Sequence, residues 1–160
     1  MNRLWAPWRM AYVGASAAPS GCVFCEASSS DDGPGRLVLR RSVLAFLILN
    51  AFPYAPGHLM AVLKRHVGAV TDATADEMTD AMTLVQLAVR ALGAEYSAQG
   101  FNIGINQGRA AGAGIDDHLH VHVVPRWNGD TNFLAVLGET RVLPESLERT
   151  RERLRGRIGE

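Results

Sequence analysis

Apolar and polar positions along the chain follow two periods. Between residues 118 and 124 they alternate strictly, His118-Leu119-His120-Val121-His122-Val123-Val124, which predicts a strand stopped by Pro125. Phe101, Ile103 and Ile105 alternate with polar or small residues and predict another strand. Two apolar stretches, 43–49 and 58–63, are separated by Asn50, Pro53, Pro56 and Gly57, so they read as an antiparallel pair joined by a turn. The period changes after Thr74. Thr74 and Glu77 make a capping-box pattern, and Met78, Met82, Val85, Val89 and Leu92 recur at helical spacing, which predicts a long helix with its methionines in the core. A weaker, Arg-rich helix opened by Pro144 follows a short apolar piece at 133–137.

These elements make an α+β domain spanning 1–160. It divides into an N-terminal arm (1–35), a core (36–137) and a helical tail (138–160). The arm reads as loop over 15–35, rich in Ser, Asp and Gly. Gly108, Gly112 and Gly114 mark a turn where backbone can come close to a ligand.

Composition narrows the function classes. With 160 residues and 48% hydrophobic content the chain can bury a core, which excludes disorder. Sixteen basic residues balance sixteen acidic ones, so no overall field gathers nucleic acid or anionic lipid, and neither is expected as a partner. No run reaches the roughly 20 apolar residues of a membrane span, and a cytoplasmic protein is expected. The Arg-rich tail reads as a solvated face, with closure over the site or contact with a partner subunit as alternatives.

A two-residue period puts His118, His120 and His122 on one face of their strand. His118 and His122 then lie about 13 Å apart at roughly 3.3 Å per residue, too far to share one ion. Division of labour suits such a row better, with one imidazole attacking and another donating to an anionic oxygen. Cys22 and Cys25 have a spacing common in zinc sites, but a tetrahedral ion needs two more ligands. A redox pair is the alternative, without a βαβ context to support it.

The run from His118 to Val124 resembles the signature of the histidine triad family of nucleotidyl hydrolases and transferases. The likeness extends to Asn50, Pro56-Gly57-His58, Asn106-Gln107-Gly108 and the opening Leu4-Trp5-Ala6-Pro7-Trp8-Arg9, which looks like that of bacterial diadenosine tetraphosphate phosphorylases and hydrolases. It implies a half-barrel antiparallel sheet of about five strands with one long helix, and a homodimer. It implies His120 as nucleophile at the α-phosphate, His122 as the group that aids the leaving oxygen, and His58 packed beside them. Asn50 matches a ribose-binding position, and Gln107 and Asn106 match phosphate-binding ones. Trp127 resembles a substrate-side tryptophan. Where the family carries Gln or Ser this chain has Gly114, so the N–H groups of Ala113 and Gly114 are the expected substitutes, with Arg109 or Arg126 as cationic partners.

The resemblance also completes the metal set with His66 and His118 beside Cys22 and Cys25. One structural Zn²⁺ per chain is implied, and a need for Mg²⁺ on the substrate polyphosphate is left open. The expected activity is cleavage of dinucleoside polyphosphates, diadenosine tetraphosphate above all, by hydrolysis or phosphorolysis. The alternatives are a nucleoside phosphoramidate hydrolase, another nucleotidyltransferase of the same family, or a nucleotide sensor without turnover.

Overall fold

Five short strands form one antiparallel sheet in the order β1-β2-β3-β5-β4. They are β1 (Val38–Arg41), β2 (Ala45–Leu49), β3 (Leu59–Leu63), β4 (Gly100–Gly104) and β5 (His120–Arg126). The computed structural model describes residues 21–130 and 143–159. The opening segment 4–9 and the apolar piece 133–137 lie outside the described residues. Among the described residues three α-helices accompany the sheet: α1 (Val23–Ser29), α2 (Ala75–Tyr96) and α3 (Leu147–Ile158).

Register gives the sheet two different faces. Across β2, β3 and β5, Leu47–Ala61–Val121 and Leu49–Leu59–Val123 stand in rows, as do Phe46–Val62–His120 and Ile48–Met60–His122. The first two rows share one face, and the second two share the other. The first face is buried under Ala81, Leu84, Val85, Ala88, Ala91 and Leu92 of α2 and Leu154 and Ile158 of α3. The second carries a smaller cluster in which Phe24 and Ala27 of α1 cover Phe46, Ile48, Met60 and Val62. Beyond that cover, the same face continues into the histidines.

The long helix begins where the capping box predicts. Glu77 N–H donates to Thr74 Oγ1 at 3.2 Å, and Thr74 N–H donates to Glu77 Oε2 at 2.8 Å. Arg65 adds Nε and Nη2 contacts to the same carboxylate at 2.8 and 2.7 Å. Its buried stripe differs from the expected one, because small alanines at 81, 88 and 91 let α2 approach the sheet while Met82 stays exposed.

Three other expectations need correction, and one strand was not located from periodicity. Pro125 does not stop the last strand, which continues to Arg126. β3 pairs with β5 only up to Val123, so Pro125 sits where β5 has lost that neighbour and the missing N–H breaks no ladder there. The arm holds helix α1 rather than loop alone. β1 was not foreshadowed by the sequence; its four residues carry one buried side chain and a bulged register. The tail helix starts at Leu147 behind an N-cap Ser146, not at Pro144, and packs against α2 and β1. It therefore lies on the face opposite the histidines, and its described residues do not close over them.

Candidate functional site

The chemistry is gathered at the start of β5 and the end of the β2–β3 loop. The loop is stiff: Asn50 N–H donates to the His58 carbonyl at 3.0 Å, Asn50 Oδ1 accepts from Phe52 N–H at 2.9 Å, and Pro53 and Pro56 lie between. Gly57 turns it with φ +78°, and a Cβ there would meet Leu92 at 2.6 Å. The loop delivers His58, fully buried, against His122 of the neighbouring strand.

Each imidazole is oriented by a committed nitrogen. His120 Nδ1 lies 2.8 Å from the His118 carbonyl, so it carries the proton and donates, which leaves Nε2 with a lone pair. His58 Nδ1 accepts from Tyr54 N–H at 3.1 Å and faces Asn50 Nδ2 at 3.3 Å. Its proton is therefore on Nε2, which donates to His122 Nδ1 at 3.0 Å. His122 in turn keeps its proton on Nε2. The site thus pairs a bare nitrogen on His120 with an N–H donor on His122, their rings 4.8 Å apart.

Burial favours the neutral form of His120 and His122. It lowers the His120 pKa from its ordinary value, against a smaller upward pull from the His118 carbonyl. It lowers His122 to about 4, with the neighbouring His120 adding to the effect.

His118 belongs to a second constellation. Its Nε2–H donates to the Leu63 carbonyl at 2.7 Å, which turns Nδ1 toward the cysteines. Cys22 Sγ lies 3.2 Å and Cys25 Sγ 3.6 Å from that nitrogen, and Cys25 Sγ lies 3.3 Å from His66 Nδ1. All four ligand atoms fall within 4.8 Å of one another. Bonds of about 2.0–2.3 Å to zinc imply tetrahedral edges of about 3.3–3.8 Å, so the donor set fits such an ion in both chemistry and size. Asp117 Oδ2 stands 3.6 Å from His66 Nε2 on the outer side. The two constellations touch through Phe24, which lies between the cysteines and packs 5.4 Å from the His118 ring and 5.0 Å from the His120 ring.

Other expected contacts turn out differently. Asn50 spends its amide on Phe52 N–H and on His58. Gln107 Oε1 accepts from Val70 N–H at 2.8 Å, and its amide N–H groups stay available to a ligand. Ala113 N–H points to the Gly108 carbonyl at 3.3 Å within its own loop, whereas open space surrounds Gly114. Arg109 is paired with Asp116, and Arg126 with Asp130 and Asn102. Trp127 donates its indole N–H to the Tyr96 carbonyl at 3.1 Å, so it braces the end of α2 and is not brought together with the histidines. Asn106 is half-buried near the glycine turn. Sequence reasoning missed Phe24 and Tyr54; the only signal was their position inside the Cys-x-x-Cys pair and the Asn50–His58 loop.

A HIT domain matches residues 36–129. A protein named AP-4-A phosphorylase from Mycobacterium tuberculosis is 40% identical over 96% of this chain and 83% of its own length. The asymmetrical bis(5'-nucleosyl)-tetraphosphatase of Schizosaccharomyces pombe is 35% identical over 60% of this chain and 52% of its own length. Among solved structures, a zinc-bound histidine triad family protein from Mycobacterium smegmatis superposes with a TM-score of 0.71 at 31% identity, covering 87% of this chain and 94% of that one. The chain belongs to the histidine triad (HIT) family.

Proposed function

We propose that the protein is an enzyme that cleaves dinucleoside polyphosphates, diadenosine tetraphosphate first among them, through a covalent nucleotidyl-histidine. The observation that carries this reading is the fixed pair of tautomers, a bare Nε2 on His120 beside an N–H donor on His122. His120 Nε2 attacks the α-phosphorus, the N–P bond forms, and the bond from phosphorus to the bridging oxygen breaks. A nucleotide leaves as an anion, so its oxygen needs a hydrogen-bond donor rather than a proton, and His122 Nε2–H supplies one. Orthophosphate or water then attacks the same phosphorus and frees His120.

Cys22, Cys25, His66 and His118 would hold Zn²⁺, whose part is to tie the arm to the strand without entering the reaction. The long match to the named phosphorylase supports orthophosphate as acceptor. We also infer a homodimer, supported by the exposed edge strand β4, where Ile103 is 46% exposed; a solution mass of one chain would refute it.

Product analysis tests the reading. Diadenosine tetraphosphate should give ADP and ATP only when orthophosphate is present, with His120→Ala inactive. AMP and ATP without phosphate would make the acceptor water, and no turnover by the wild type would overturn the reading.

A further inference from the structure

We propose that Tyr54 is a stacking platform for the base of the departing nucleotide, and so a residue that selects substrates with a second nucleoside. This rests on the reading above. The Tyr54 ring lies 4.6 Å from His58 and 6.0 Å from His122, inclined only 28° to the latter. It is nevertheless 45% exposed, and Phe52, two residues earlier, is 64% exposed. Large aromatic rings grouped at the rim of a polar site are suited to a flat apolar ligand.

Position decides which base it would meet. Phe24 flanks the ring of the nucleophile His120, while Tyr54 flanks His122, the donor to the departing oxygen. A group leaving toward His122 passes onto the Tyr54 side. The loop is also prepared for the task. Tyr54 N–H is held by His58 Nδ1, Phe52 N–H by Asn50 Oδ1, and the ends are closed by Asn50 N–H on the His58 carbonyl. A ring on so restrained a backbone loses little freedom when a base stacks on it.

Two substrates separate this role from others. Diadenosine tetraphosphate and adenosine 5'-tetraphosphate present the same nucleotide to His120, but only the first has a base on the departing side. The wild type should favour the first in kcat/KM. Tyr54→Leu should lower that preference about tenfold, within the range that loss of one stacked base brings, mainly through KM. Tyr54→Phe should retain it. Equal loss on both substrates would mean that Tyr54 acts through His58 alone, and would overturn the proposal. So would a wild type that turns over both substrates equally well, while leaving the dinucleotide chemistry standing. A wild type that turns over neither would refute that chemistry, and this inference with it.

Discussion

A neutral imidazole has one donor and one acceptor, so a partner on one nitrogen decides what the other can do. In this site the deciding partners are backbone groups: the His118 carbonyl for His120, Tyr54 N–H for His58, and through His58 the ring of His122. Nitrogen NMR should therefore find the proton on Nδ1 of His120 and on Nε2 of His58 and His122, and His58→Phe should abolish the preference at His122. Loss of an oriented donor of this kind costs about 10²-fold or more in kcat, so the same variant should be slow at unchanged fold. Acid adds a second check. Because His122 titrates at about 4 in the folded chain and near 6.5 unfolded, the unfolded chain binds more protons between those values. Its contribution thus weakens stability as pH falls from about 6.5 to about 4, and His122→Phe should flatten that part of the profile in urea midpoints. The triad itself was legible because a two-residue period needs only the sequence. The tautomers were not, since they depend on main-chain atoms of His118 and Tyr54.

At the scale of elements, local signals were reliable where the determinant is local. Thr74 and Glu77 lie three residues apart, and the helix starts as the box requires. Thr74→Ala removes one cap, which costs about 1 kcal/mol and should lower Tm by about 2–4 °C. Glu77 shows the partner that lies at a distance. Hydrogen bonds from Arg65 first, and then from the Thr74 backbone, hold its carboxyl down to about 2. A depressed carboxylate stabilises above its unfolded pKa near 4.5 and is lost as pH falls toward 2. Thermal melts between pH 5 and 2 should decline, and Glu77→Gln should be less stable at neutral pH with a shallower slope in that window. The elements that stayed hidden share a cause. β1 is a strand because β2 lies beside it, Pro125 is tolerated because β3 has ended, and α1 forms in a sequence whose Ser and Asp content reads as loop. Met82 likewise fits the helical period, yet only the sheet's position shows that the alanine stripe is the one facing inward.

For the whole molecule, the sheet is a partition. One face is closed by two helices, and the other carries the histidines and is covered among the described residues by α1 together with Leu37, Val38, Ile115 and the Tyr54 loop. A seven-residue helix has little stability of its own. Arg41 holds its end, donating to the carbonyls of Ala27, Ser28 and Ser30 at 2.9 Å each, while the cysteines hold its start against His66 and His118. A metal at those four atoms would therefore act on catalysis only through position, by keeping Phe24 on His120 and His118 on Leu63. Elemental analysis should give about one zinc per chain, as a closed four-ligand site requires. Chelation should lower Tm, because an ion bound only by the folded state stabilises it, and should make both thiols reactive. Cys25→Ser should reproduce the fall in Tm with zinc present. If the protein as purified held no zinc and both thiols titrated at once with no change in melting, the arm would have to be held by Arg41 and the Phe24 cluster alone, and the metal reading of the two cysteines would be wrong.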